Sequence, residues 1–299
     1  MSTAAKDAAT VARRLMPWVF VLVWSTGFIV ARYGMPYAPP LTFLCLRYGF
    51  SLLVLLPLVW MLRADWPRGW RQWGHLAVVG ALMQAGYLGG VWAAVKHGIS
   101  AGTVALIVGL QPLLTAVFVS AAGQRVHARQ WLGLLLGFSG LTLVVVHKLD
   151  GGELGVHNLL LALFALGCIT AGTLWQKNFV RPAPVWGALA VQLFAALLLS
   201  APLAMLEPEP VVWNGQLIGA LAWSVLALTV GASALLYLLI QRGAAVQVTS
   251  LIYWVPPVTA LMGWILFREP LGLTTWAGMA LVAAGVVAVT RNPPAPAPR

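Results

Sequence analysis

Apolar stretches of roughly twenty residues, separated by short clusters of Pro, Gly and charge, run the length of the chain. A helix needs about that length to cross a hydrocarbon core roughly 30 Å thick. The clusters mark out ten such segments: Pro17–Tyr33, Leu41–Leu62, Trp73–Val95, Ala101–Ala122, Gln130–Val146, Asn158–Lys177, Val185–Met205, Gln216–Ile240, Val246–Phe267 and Thr274–Val289. None shows the strict alternation of an outer-membrane barrel strand, and an open sheet edge cannot face lipid. The pattern predicts an all-α, polytopic membrane protein with ten transmembrane helices.

The fourth segment recurs as the ninth. Leu106, Ile107 and Pro112 reappear as Leu251, Ile252 and Pro257, each 145 positions later. The register continues without a gap through Trp131/Trp276, Gly133/Gly278 and Gly140/Gly285, so two helices and their loop are duplicated. Each copy then holds five spans, an odd number, which forces the second copy to start from the opposite face. Two inverted five-helix repeats (5+5) are the pattern of many secondary transporters. The expected divisions are a cytoplasmic tail over residues 1–16, a first repeat over 17–148, a periplasmic linker over 149–157, a second repeat over 158–290 and a disordered cytoplasmic tail over 291–299.

Composition agrees, because a chain of 299 residues that is 61% hydrophobic and 8% charged cannot hide its apolar surface from water. Charge then sets the orientation. With the N-terminus inside, thirteen of the eighteen Lys and Arg residues fall on the cytoplasmic side, and only Arg32, Lys96, Lys148 and Arg268 on the other. This predicts an N-in, C-in protein of the bacterial cell inner (cytoplasmic) membrane. The net charge of +11 is then an inner-face bias and not a nucleic-acid footprint. Arg13 and Arg14 before an apolar run would suit a signal peptide, but no small-residue cleavage site follows Val30. Cys45 and Cys168 lie within spans, so neither a disulfide framework nor a metal site is expected, and no cofactor.

All seven acids map to loops or tails and the five histidines to helix ends, which leaves no carboxylate at the midplane. Proton-driven carriers usually hold a titratable group at that depth. Transport driven by protonation of a buried acid is therefore not expected. The one ionised side chain within a span is Arg47, whose Cα lies roughly 9 Å below the outer face at 1.5 Å per residue. It can snorkel to the interface or serve carbonyls at a helix break. Alternatively it is a bidentate clamp for a substrate carboxylate.

Neutral polar groups are more numerous at depth. Gln84 and Tyr87 share one helical face, Ser233 and Tyr237 another, and Gln111, Thr170, Thr173 and Gln192 add amides and hydroxyls. Interhelical hydrogen bonding accounts for any one of them. The set describes a neutral cavity walled by aromatics. Nine of the fifteen tryptophans fall near span ends, as an interfacial belt requires. Among the deeper ones Trp24, mid-span, and Trp254, beside Tyr253 and a proline break, are best placed to stack on a ligand. Pro112 cannot donate to the Val108 carbonyl, and Pro256 and Pro257 leave those of Ile252 and Tyr253 free, so both helices should be bent there. A paired hinge follows. Gly133, Gly137, Gly140, Gly278 and Gly285 give helices five and ten small surfaces, either for packing within one subunit or for a homodimer.

Trp24-Ser25-Thr26-Gly27-Phe28 followed by Arg47, and Gln111-Pro112 with Pro257, Glu269, Trp276, Gly278 and Gly285, resemble the signatures of the drug/metabolite transporter superfamily, in its EamA-type group of ten-helix exporters. The likeness spans both halves. One departure is Gln124, where the first copy often carries a glutamate like Glu269. Within the group the chain is most similar to bacterial YddG-type exporters, which implies efflux of aromatic and other neutral amino acids, and of some toxic compounds, by alternating access. The partners implied are a small-molecule substrate and membrane lipid, with no nucleic acid. An acid-free cavity suits neutral zwitterions better than cationic drugs. A membrane-embedded enzyme would need a Ser/His/acid set, a metal cluster or a carboxylate pair, and a channel a continuous polar path or a charged ring, and the sequence offers none of these.

Overall fold

The computed structural model describes residues 3–121, 128–150, 155–235, 254–269 and 272–290. Those residues form ten helices and no strand. They are α1 (Thr3–Gly34), α2 (Pro40–Met61), α3 (Trp70–Lys96), α4 in two pieces (Ala101–Val108 and Gln111–Ala121), α5 (Ala128–Asp150), α6 (Val156–Phe179), α7 (Val185–Ala204), α8 (Gly215–Leu235), α9 (Val255–Phe267) and α10 (Leu273–Thr290). Six of them, α1, α2, α3, α6, α7 and α8, are long and apolar enough to cross a membrane whole; α4, α5, α9 and α10 contribute shorter apolar helices. The chain is a polytopic membrane protein.

Two boundaries differ from expectation. The first helix starts at Thr3 instead of Pro17, because the Ala-rich stretch before Arg13 favours helix and Pro17 is carried inside it. Asp7 therefore lies in a helix instead of a tail, and Asp150 closes α5. The fourth helix is interrupted, not bent. Gly109 and Leu110 leave the α-helix and Gln111 restarts it, with Pro112 in the new first turn, where its missing N–H costs nothing.

Loops gather at two ends. At one, buried Gln72 joins the start of α3 to the α6–α7 loop: its amide donates to the Arg181 carbonyl at 2.8 Å and accepts from the Arg181 N–H at 3.2 Å. At the other, the Tyr37 hydroxyl donates to Gln216, and the Val212 N–H donates to the Tyr37 carbonyl at 2.8 Å. Lys96 pairs there with Glu209, and Asn158 donates to the His97 carbonyl at 3.2 Å. Gln72/Arg181 and Gln216/Tyr37 also match within one position of the 145-residue register.

Two further acids, Glu207 and Glu269, accept from N–H groups at helix starts. Glu207 accepts from the Leu41 and Thr42 N–H groups and the Thr42 hydroxyl at 2.8–2.9 Å, satisfying orphan donors of α2. Glu269, 9% exposed, accepts from the Ala101 N–H at 3.2 Å and so ties the α9–α10 loop to the start of α4.

Helices α5 and α10 pack backbone to backbone. A Cβ on Gly140 would meet the Gly278 carbonyl oxygen at 2.5 Å, and one on Gly285 the Gly133 carbonyl oxygen at 2.4 Å. Gly133 meets Gly285 while Gly140 meets Gly278, so the two helices run antiparallel. The glycines offered as a possible dimer surface are used up inside the subunit.

Candidate functional site

A chamber opens where α1, α2, α3, α6 and α8 converge. Its first lobe, ≈130 Å³, is lined by Trp24, Arg47, Gln84, Tyr87 and Ser233, with Phe28, Met83, Trp92, Ile169, Leu228 and Thr229. A second lobe, ≈230 Å³, shares Trp24, Phe28, Met83, Tyr87 and Ile169 and adds Gln111, Pro112, Thr173, Pro256 and Pro257. Among the described residues, no acidic side chain lines either lobe.

Arg47 is 8% exposed, and its Nε donates to the Thr229 hydroxyl at 3.3 Å. It turns inward across the chamber to α8 instead of snorkelling to the interface. Among the described residues no carboxylate pairs with it. A buried guanidinium keeps its charge and has five N–H donors to satisfy, so it is a strong candidate to receive an anionic group.

The helices that carry the polar lining are wound unusually. Gly80–Leu88 in α3 and Ser224–Gly231 in α8 are π-helical, and the 145-residue register superimposes the two stretches to within one or two positions. Such widened turns are rare and concentrate at functional sites. Each is steadied by a hydroxyl: Tyr48 donates to the Gln84 carbonyl at 2.6 Å, and Thr229 to the Ser224 carbonyl at 2.9 Å. On α4 the Gln111 amide donates to the Thr173 hydroxyl at 3.0 Å, which in turn donates to the Ile169 carbonyl at 2.8 Å. Pro256 sits against the break in α4, within 3.0 Å of where a Cβ on Gly109 would stand.

Two expected lining residues stand elsewhere. Thr170 is buried in the wall and its hydroxyl is spent on the Leu166 carbonyl at 2.7 Å. Trp254 is 52% exposed and lies edge-on to Trp18 at 6.0 Å, on the outside of the bundle. A helix apolar on all sides gives no periodicity from which to tell its inner face. Gln192 is partly buried, its backbone pressed against Gly80 of α3. Tyr237, Tyr253 and Gln124 lie outside the described residues.

The EamA-like transporter family matches this chain twice, at residues 15–146 and 157–291. The chain belongs to the EamA-like transporter family. Known members resemble this EamA chain along nearly its whole length. The "Uncharacterized transporter YvbV" of Bacillus subtilis is 27% identical over 90% of this chain and 88% of its own. The "Uncharacterized inner membrane transporter YedA" of Escherichia coli K12 is 26% identical, covering 93% and 92%. A "Probable amino-acid metabolite efflux pump" of Escherichia coli K12 is 24% identical, covering 89% and 90%. One protein crystal structure superposes at a TM-score of 0.64 with 17% identity, over 92% of this chain and 96% of that one, which shows a shared fold. The EamA chain is thus a membrane transporter and not an enzyme.

Several lining residues escaped the reading of polar positions. Phe28, Met83, Ile169 and Leu228 are apolar and indistinguishable from lipid-facing neighbours. Thr229, the partner of Arg47, was within reach: it is the repeat counterpart of Gln84 at an offset of 145.

Proposed function

We propose that this EamA transporter exports small neutral metabolites, foremost aromatic and other neutral amino acids, by alternating access around the central chamber in a bacterial inner membrane. Two inverted five-helix repeats enclose that chamber. The observation that carries the reading is Arg47: a buried guanidinium with no carboxylate partner among the described residues, facing a chamber walled by Trp24, Tyr87 and Trp92. A zwitterion offers such a site a carboxylate for the fork and an apolar side chain for the aromatic wall. Its ammonium group finds neutral acceptors in Gln84, Ser233 and Thr229. The antiparallel exchange of glycines between α5 and α10 supports the inverted arrangement, since a two-fold contact pairs residue i with j and j with i. The printed name of the amino-acid metabolite relative points the same way.

Exchange of labelled phenylalanine, threonine, lysine and glutamate in proteoliposomes tests the reading. Saturable counterflow is expected for phenylalanine and threonine but not for lysine or glutamate, and collapsing the pH gradient should leave it unchanged. Uptake of lysine in preference to phenylalanine, or flux obligately tied to the pH gradient, would refute it. A second reading follows from the second lobe, whose Phe28, Met83, Ile169 and Met279 suit apolar metabolites or toxic compounds that lack a carboxylate. For such cargo Arg47→Gln would leave transport intact.

A further inference from the structure

The inner face holds a second recess, far from the chamber, of ≈910 Å³ between the α2–α3 loop and the α6–α7 loop. Arg68, Arg71 and Arg181 converge on it with His75, against a single carboxylate, Asp65. All three arginines are exposed, and among the described residues none is in an ion pair. The frame is built from side-chain contacts: Gln72 bonds twice to the Arg181 backbone, the Trp73 indole N–H donates to the Pro67 carbonyl at 2.8 Å, and Trp66 stacks on Trp73 at 5.8 Å. Arg71 lies over the Trp70 ring at 5.5 Å, held by its face.

Next door, sharing Trp66, a hollow of ≈790 Å³, apolar except for Arg63, runs along the inner end of α2 past Leu56 and Val59 to Trp60. Trp60 and Trp70 are 80% and 81% exposed, indoles placed where headgroups meet acyl chains. A general positive-inside bias accounts for arginines on this face. It does not account for three unpaired ones around a preformed recess that continues into an apolar trough. Guanidinium forks match phosphate oxygens, and the cytoplasmic leaflet is where anionic lipid headgroups collect.

We propose that this recess binds the headgroup of an anionic phospholipid of the inner leaflet, with an acyl chain lying in the trough along α2. Three guanidiniums against Asp65 favour a phosphodiester without a compensating ammonium, so phosphatidylglycerol fits and phosphatidylcholine does not. The recess takes one loop from each half of the molecule, and the bound lipid bridges them.

The test is thermal unfolding of the purified full-length protein in detergent with phosphatidylglycerol, phosphatidylcholine or inorganic phosphate at equal concentration. Phosphatidylglycerol should raise the midpoint by roughly 5 °C through preferential binding to the folded state. The other two should not. The combined variant Arg68→Gln, Arg71→Gln, Arg181→Gln should lose most of that shift, while Arg13→Gln, Arg14→Gln, Arg291→Gln, with the same charge removed elsewhere in the chain, should keep it. Gln72 holds the Arg181 backbone and not its side chain, so the frame survives the substitution. Should the triple variant still fold poorly, native mass spectrometry of Arg68→Gln and Arg71→Gln singly gives the same reading, each expected to retain phosphatidylglycerol several-fold less than wild type. An equal shift with phosphatidylcholine, an equal shift with phosphate, or undiminished lipid retention in the single variants would overturn the proposal.

Discussion

Helices α5 and α10 and helices α3 and α8 are each a repeat-related pair, yet they are built on opposite plans. The first pair is continuous, aliphatic and pressed together through glycine backbones. The second is wound wide at its centre, carries amides and hydroxyls, and faces a void. The same duplication thus produced a clamp at the edge and an adaptable wall in the middle. Tight backbone contact tolerates no added atom, whereas a π-wound wall leaves side chains room to change partners.

That contrast can be broken at four points, beginning with the largest effect. Gly140→Leu places a side chain where the Gly278 carbonyl already stands, an overpacking of about 3 kcal/mol or more. Fluorescence-detected size exclusion should show the folded yield collapse. Gly219→Leu on α8, with no neighbour within 4 Å of its Cβ site, should express normally. Next comes Arg47→Lys, which keeps the charge and loses the fork. Folded yield should hold while amino-acid counterflow drops by more than about tenfold, as the roughly 1.5–3 kcal/mol that a hydrogen bond to a charged group contributes requires. A normal rate would remove the clamp. A smaller change is expected from Pro112→Ala and Pro257→Ala, which restore the backbone N–H donors that the two prolines lack. Exchange between inward-open and outward-open forms, followed by stopped-flow fluorescence, should slow several-fold, and unchanged rates would reject the hinge. The smallest effect belongs to Tyr48→Phe, which takes a hydroxyl from the Gln84 carbonyl. Thermal unfolding should report a loss of about 1 kcal/mol, with transport close to wild type.

Much of the fold was legible because lipid imposes a simple rule: a span must be long, apolar and helical. The duplication was legible because its register survives in Pro112/Pro257 and in the glycines of the packed pair. The break in α4 was announced by Pro112 but misjudged in kind, since proline is as comfortable starting a helix as bending one. The π-wound stretches left no mark, because hydrogen bonds from residue i to i+5 change neither hydropathy nor composition. For the chamber, polarity at depth singled out Trp24, Arg47, Gln84, Tyr87, Gln111, Thr173 and Ser233, which line the two adjoining lobes. Trp254 shows the limit of that logic, for an indole is equally at home against lipid.

The two loop fastenings, Gln72 with Arg181 at one end of the bundle and Tyr37 with Gln216 at the other, are closed at the same moment. Two fastenings closed together leave a carrier two ways to alternate: release one of them, or move other helices past both. We propose the second, with α4, interrupted at Gly109, moving together with α9, since the Glu269 carboxylate after α9 accepts from the Ala101 N–H that starts α4 at 3.2 Å.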